Sequence, residues 1–367
     1  MVQVHAPPDD VPDDSSWSRA TADLRAAVEA GLRDMVGRAA DDLREVDTDL
    51  VPVADELERW LASGGKRLRP ILVTVGHELA GGDARDVLGA AAAVELVHTW
   101  ALLHDDLIDA SATRRGAPTT HRRFAHHHLD QRWAGDAADW GGAIAILLGD
   151  FVAVLADDAF ATMSRERVDV DAGHLAFSRL RREVMAGQVL DITVAARRDA
   201  DVDRALRVAT LKSGRYTVAR PMEVGAVLGR AEPDLLDVVA SAGDALGVAF
   251  QLHDDLLGMF GEPDVTGKPV GDDLREGKRT VLVAEAMARL DPRDAARLEA
   301  MLGVRDLDDS TVDEGLELIS GSGAPEATAD RIEALLARAR DELAHLPAGR
   351  ARTALFALAD HVATRHH

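Results

Sequence analysis

The chain has 367 residues, 47 % hydrophobic but only 4 % aromatic, with no cysteine and a formal net charge of −22. That length suits one large helical domain or two ordinary ones, and an Ala-, Leu- and Val-rich, aromatic-poor mixture favours closely packed helices. The missing cysteines exclude disulfides, thiolate catalysis and Cys-based zinc sites and suit a reducing compartment, and the acidic balance speaks against nucleic acid as a partner.

The first residues read MVQVHAPPDDVPDDSSW. They place no basic segment ahead of an apolar run, so they lack the form of a secretory signal. Residues 1–20 are expected to be a disordered acidic tail and 21–367 one all-helical domain. An amphipathic helix is predicted over 20–45, with Leu24, Val28, Leu32 and Val36 on its apolar face, and a second over 50–62. Gly64-Gly65 interrupts the pattern. A helix restarts near Pro70 and stops at Gly81-Gly82. Residues 85–110 are apolar almost all round, through Val94, Leu96, Val97, Leu102 and Leu103, which puts this helix in the middle of a bundle.

Residues 111–138 read as a polar connection in which His126-His127-His128 is an ordinary loop run; Trp60, Trp133 and Trp140 are packing residues. Helices are predicted at 140–163, 171–195, 202–229 and 232–259. A flexible Gly/Pro-rich loop covers 261–278, and helices follow at 279–290, 294–302, 310–320, 325–345 and 348–364. No strand alternation or hairpin signal stands out. No uncharged apolar stretch reaches about 18 residues, so no membrane span is expected; Asp150 interrupts the best one, Gly141 to Ala156.

One segment is echoed. Leu103-His104-Asp105-Asp106-Leu107-Ile108-Asp109 resembles Leu252-His253-Asp254-Asp255-Leu256-Leu257-Gly258, and both copies close long apolar helices. Asp105 and Asp109 are four apart, on one helix face and roughly 6 Å from each other. Carboxylates so placed suit magnesium, with water and a phosphorylated substrate completing the coordination. Gln251, three residues before Asp254, can share its face.

Basic residues are few but clustered. Lys66, Arg67 and Arg69 follow Gly64-Gly65 at a helix start, where free N–H groups already favour an anion. The glycine spacing is not that of a Walker A loop. Arg114-Arg115 follows the first acidic motif and can fork onto diphosphate oxygens. Lys212, Lys268, Lys278 and Arg279 complete the set, with Lys268 and Lys278 in the loop expected to close over a ligand. Two carboxylate clusters plus cationic clusters are equipment for handling a diphosphate through magnesium.

From about residue 50 to 290 the chain resembles the trans-type polyprenyl diphosphate synthases. The resemblance rests on GGKRLRP (64–70), HDDLID (104–109), RRGAPT (114–119), GQVLD (187–191), KSGRY (212–216), FQLHDD (250–255) and TGKPVGDDLREGKRT (266–280), in the family's order. It implies a single large helical bundle around a central cavity, two walls of which carry the acidic motifs. Asp105, Asp106 and Asp109 bind magnesium on one wall and Asp254 on the other, with three ions held alongside the diphosphate. Arg114, Lys212, Lys268 and Lys278 hold the allylic diphosphate. Lys66, Arg69, His98 and Arg115 hold isopentenyl diphosphate, and Gln188, Asp191 and Gln251 line the reaction zone. Lys212, Gln251 and the four aspartates form the catalytic set. The implied protein is a cytoplasmic homodimer. Many members end the second motif in a third aspartate, where this chain has Gly258.

Product length follows from position. A residue five before Asp105 is about 7.5 Å up the helix axis; it is Trp100, with small Ala101 beside it. By family analogy an aromatic floor there stops growth at C15 to C20, and Ala101 favours geranylgeranyl diphosphate over farnesyl diphosphate. A class I terpene cyclase shares the helical fold but leaves Lys66 and Arg69 without a role. A non-catalytic partner subunit has no need of both leading aspartate pairs, and a di-iron bundle needs paired Glu-x-x-His motifs that are absent here.

Overall fold

The protein is described here by a computed structural model covering residues 16–62, 64–261 and 270–364. It is all-helical apart from one minimal hairpin among the described residues. The chain divides into two compact units: the first is built on 21–74 and 82–170, the second on 16–20, 75–81 and 171–364.

The first unit takes most of α1 (Ser16–Val46), α2 (Val51–Ala62), the start of α3 (Leu68–Leu79), α4 (Leu88–Ile108), α5 (Thr120–Asp130) and α6 (Ala137–Ala161). Leu24, Val28, Leu32 and Val36 are all buried, as the spacing predicts. Helix α1 starts earlier than expected, inside the segment read as a tail, because Trp17 is buried at 3 % exposure. Residues 1–15 lie outside the described residues. Helix α4 buries Ala90 to Ala93, Val94, Leu96, Val97 and Leu103, and it packs along α6. Burial of a side chain such as Leu103 contributes about 1.5–3 kcal/mol. Asp136 caps α6 by accepting from the N–H groups of Ala138 and Asp139.

The polar connection is not a loop. Strands β1 (Thr113–Arg114) and β2 (Ala117–Pro118) form an antiparallel hairpin. Its two turn residues, Arg115 and Gly116, both have positive φ, at 51° and 70°, as the tightest hairpins require. Helix α5 follows and buries Thr120, His121, Phe124 and His128. That face has helical spacing but is mostly polar, so apolar periodicity misses it. The histidine run is therefore helical. His127 and His128 pack with Trp133 and Trp140, at ring-centroid distances of 5.0–6.2 Å within the cluster.

The second unit holds α7 (Val170–Arg197), α8 (Val202–Val208), α9 (Arg220–Leu228) and α10 (Pro233–Phe260). It continues with α11 (Asp272–Glu276), α12 (Val281–Arg289), α13 (Pro292–Met301), α14 (Asp309–Gly321), α15 (Ala324–Ala344) and α16 (Arg350–Thr364). Between α8 and α9 the expected continuous helix widens to π-helical bonding over Ala209–Ala219, closing with the Arg220 N–H on the Arg215 carbonyl. Helix α10 is the core element; it buries Val239, Leu246, Leu252, Leu256 and Met259 and packs on the π segment and α15. Helix α11 lies inside the segment predicted as a flexible loop.

Ala84–Ile108 and Pro233–Phe260 are long and apolar enough to cross a membrane by length and composition alone, although neither is uncharged. Each has about half of its most apolar window buried within the protein, as core helices do.

Candidate active site

The acidic end of α4 separates its three aspartates. Asp109 is the C-cap, and its N–H donates to the Asp105 carbonyl at 2.8 Å, which stacks the two residues one turn apart. Both side chains are half-buried. Asp106 turns inward, is 1 % exposed, and accepts from Arg114 Nε at 2.6 Å. Arg114 thus pairs with the aspartate that lies between Asp105 and Asp109 in the chain. Among the described residues, no three acidic or histidine side chains form a ready-made cage. Magnesium does not require one: it keeps several waters and takes one or two carboxylates plus substrate phosphate oxygens. Asp105 and Asp109 fit that donor set.

The basic turn before α3 is organised by Arg67. Its Nη1 donates to Glu95 Oε1 at 2.6 Å and its Nη2 to the Leu61 carbonyl at 3.1 Å, with Arg67 and Glu95 both buried. Lys66 stays exposed and Arg69 half-buried. Arg115 Nη1 donates to the Gly64 carbonyl at 2.6 Å, which ties the hairpin to this turn. His98 lies on α4 among these cations. Burial first, then the positive charges of Arg69, Arg115, Arg114 and Arg67, hold its pKa well below the usual histidine range. Four arginines thus concentrate positive potential around one neutral imidazole in a chain of net charge −22, an arrangement suited to a polyanion.

Sequence reasoning missed Glu56. It is 1 % exposed and accepts from Thr120 Oγ1 at 2.5 Å, Arg59 Nη2 at 2.5 Å and Arg123 Nε at 2.9 Å. Trp60 Nε1 donates to the same threonine at 2.8 Å. The network ties α2, which leads into the basic turn, to α5, which follows the hairpin. Only the Glu56–Arg59 spacing is visible in sequence, and an i, i+3 pair of opposite charges is ordinary on a helix surface.

Trp100 is half-buried and meets His104 edge-on, with ring centroids 5.6 Å apart. His104 Nε2 is 3.3 Å from the Ile146 carbonyl and 3.8 Å from Asp150 Oδ1, so α6 braces the histidine that flanks Trp100. Ala101 is half-buried beside it.

In the second unit, Lys212 Nζ donates to Asp191 Oδ2 at 2.6 Å. The helices can approach this closely because residue 187 is glycine; a Cβ there would lie 2.5 Å from the Lys212 backbone nitrogen. Gln188 is half-buried one residue along α7. On α10, Gln251 Nε2 donates to Asp255 Oδ1 at 2.6 Å, one turn on, rather than pairing with Asp254. Asp254 is half-buried and Asp255 buried. Burial, then the charges of Asp273 and Asp254, push Asp255 up to about 8, against the Gln251 bond and the Lys278 charge. Lys278 does not sit in a flexible loop: its Nζ is 2.8 Å from Asp273 Oδ1 and 2.7 Å from Glu276 Oε2. Arg279 is buried against Glu299 at 2.6 and 2.7 Å, a structural pair. Lys268 lies outside the described residues.

Residues 52–319 match the family model described as polyprenyl synthetase. A short chain isoprenyl diphosphate synthase of Methanothermobacter thermautotrophicus is 32 % identical over 92 % of this chain and 98 % of its own. A (2E,6E)-farnesyl diphosphate synthase of Mycobacterium bovis is 36 % identical over 70 % of this chain and 67 % of its own. Among solved structures, a geranylgeranyl pyrophosphate synthase of Corynebacterium glutamicum, complexed with isoprenyl diphosphate and magnesium, is 35 % identical. It covers 92 % of this chain and 99 % of that one, with a TM-score of 0.85.

Proposed function

The chain belongs to the polyprenyl synthetase family of prenyltransferases, and from that premise we propose that it condenses an allylic diphosphate with isopentenyl diphosphate to give geranylgeranyl diphosphate. The observation that carries the reading is the pairing of opposite chemistries on α4. Carboxylates Asp105 and Asp109 stand at its end, and the charges of four arginines act on His98 two turns earlier.

Each group then has a task. Asp105, Asp106 and Asp109, together with Asp254, are the magnesium ligands, with Asp106 first released from Arg114. Bound magnesium neutralises charge on the departing diphosphate. Arg114, Lys212, Lys268 and Lys278 hold the allylic diphosphate as its C–O bond breaks and the electron pair leaves with the diphosphate oxygen. Lys66, Arg69, Arg115 and neutral His98 hold the second diphosphate and orient the isopentenyl double bond, whose π electrons form the new C–C bond. Gln188, Asp191 and Gln251 line the reacting region. The proton lost in forming the new double bond passes to a diphosphate oxygen, so no protein nucleophile is required. Trp100 floors the chain-length pocket, held by His104, and Ala101 leaves room for C20.

The same reading makes the protein a cytoplasmic homodimer binding three magnesium ions. Helix α7 exposes Met185, Val189 and Ile192 along one stripe, and α6 exposes Leu147 and Val154, apolar surface of the kind a subunit interface covers. The decisive test is product sizing with isopentenyl diphosphate, magnesium and C5, C10 or C15 allylic starters, for wild type and Trp100→Ala. A C20 alcohol after dephosphorylation, lengthening in the variant, is expected. A C15 limit would assign a farnesyl diphosphate synthase, and an unchanged product in the variant would remove Trp100 from length control.

A further inference from the structure

Gly258 stands one turn after Asp254 on α10, at the place that Asp109 occupies in the first acidic motif. Its surroundings give the missing side chain a purpose. A Cβ at this position would lie 2.3 Å from Oδ2 and 2.9 Å from Cγ of Asp273, far inside van der Waals contact. The Asp273 carboxylate therefore rests directly on the α10 backbone, in space that any side chain at 258 would take.

Asp273 is only 7 % exposed. A carboxylate that dry needs a close countercharge, and it has one. Its Oδ1 accepts from Lys278 Nζ at 2.8 Å, while its backbone carbonyl accepts the Lys278 N–H at 3.0 Å. Lysine and aspartate thus hold each other at two points. The short helix α11 that carries Asp273 is itself braced. Leu274 is fully buried, its carbonyl accepts the Gly303 N–H at 3.0 Å, and Arg275 Nη1 donates to the Val270 carbonyl at 2.9 Å. The flanking Gly271 and Gly277 both adopt left-handed φ, 70° and 73°. The ammonium of Lys278 is consequently fixed beside the acidic end of α10 instead of moving with the surface.

We propose that Asp273, admitted by the absent side chain at Gly258, is a positioning residue that sets the Lys278 ammonium for the diphosphate of the allylic substrate. The proposal rests on the reading of Lys278 as a diphosphate ligand. Gly258 is then not a lost metal ligand but the contact that lets a carboxylate from another segment reach this face of α10.

The test uses the full chain with Asp273→Asn, Gly258→Ala and Lys278→Gln, and the first two combined with the third. Inorganic pyrophosphate with magnesium is titrated calorimetrically, and KM is measured separately for the allylic and isopentenyl substrates. Asp273→Asn keeps the buried shape and Gly258→Ala pushes the carboxylate off α10. Each is expected to weaken pyrophosphate about tenfold, the scale of one charged hydrogen bond, and to raise the allylic KM while leaving the isopentenyl KM in place. In the Lys278→Gln background neither should cost anything further. Wild-type pyrophosphate affinity in Asp273→Asn would overturn the proposal, as would an undiminished loss in the Lys278→Gln background. If Lys278→Gln alone binds pyrophosphate normally, the reading of Lys278 fails first. If Gly258→Ala does not fold, the isosteric Asp273→Asn decides alone.

Discussion

At the scale of single residues, charge neighbours decide what each polar side chain does. Asp105, Asp106 and Asp109 look alike in sequence, yet Asp106 is buried on Arg114 while its companions are half-buried at the helix end. Among Lys66, Arg67 and Arg69, Arg67 is buried against Glu95 while Lys66 is exposed and Arg69 half-buried. His98 gives a test of this electrostatic picture. Burial and four arginines favour its neutral form, so below about pH 6.5, the ordinary histidine value, the unfolded chain binds a proton the folded chain refuses. Stability must therefore fall as pH drops through that range, by up to about 1.4 kcal/mol per pH unit from this group. Urea melts from pH 7 to 5 should show a shallower loss in His98→Gln than in wild type. Equal slopes would mean that the arginines do not act on this ring.

At the scale of elements, the predicted helices are largely observed, and the differences share a cause. Apolar periodicity marks α1, α4 and α10 but not α5, whose buried face is Thr120, His121, Phe124 and His128. It marks a helix over 202–229 but not its π-helical middle, because hydrogen-bond register leaves no trace in hydropathy. That middle matters: it presents Lys212 to Asp191, and Gly187 on α7 is what lets the segments approach. Gly187→Ala should force the two backbones apart at a cost of about 1–3 kcal/mol. Thermal melts should show that loss, and steady-state assays a reduced kcat. A variant with unchanged melting temperature and kcat would show that the contact yields easily.

At the scale of the whole molecule, net charge and ligand charge oppose each other. A chain of charge −22 gains little by binding a bare diphosphate, and its acidic helix ends repel one. Magnesium and pyrophosphate should therefore stabilise it jointly. Thermal melts are expected to shift little with either alone and by several degrees with both, corresponding to about 2.7 kcal/mol when the ligand exceeds its Kd about a hundredfold. Chelation of magnesium should abolish prenyl transfer and leave the melting temperature of the ligand-free protein unchanged, because the described core is built from packed apolar helices. A large drop on chelation would instead make the metal part of the fold. By itself the sequence determined the helical class, the motif order and the family, since these depend on local periodicity and on residue types at fixed spacings. Tertiary structure alone decided which charges are spent on one another. Arg67 with Glu95, Arg114 with Asp106, Glu56 with Arg123 and Asp273 with Lys278 join residues up to 67 positions apart. Coulombic and hydrogen-bond energies depend on distance and burial in space, and a linear spacing carries neither.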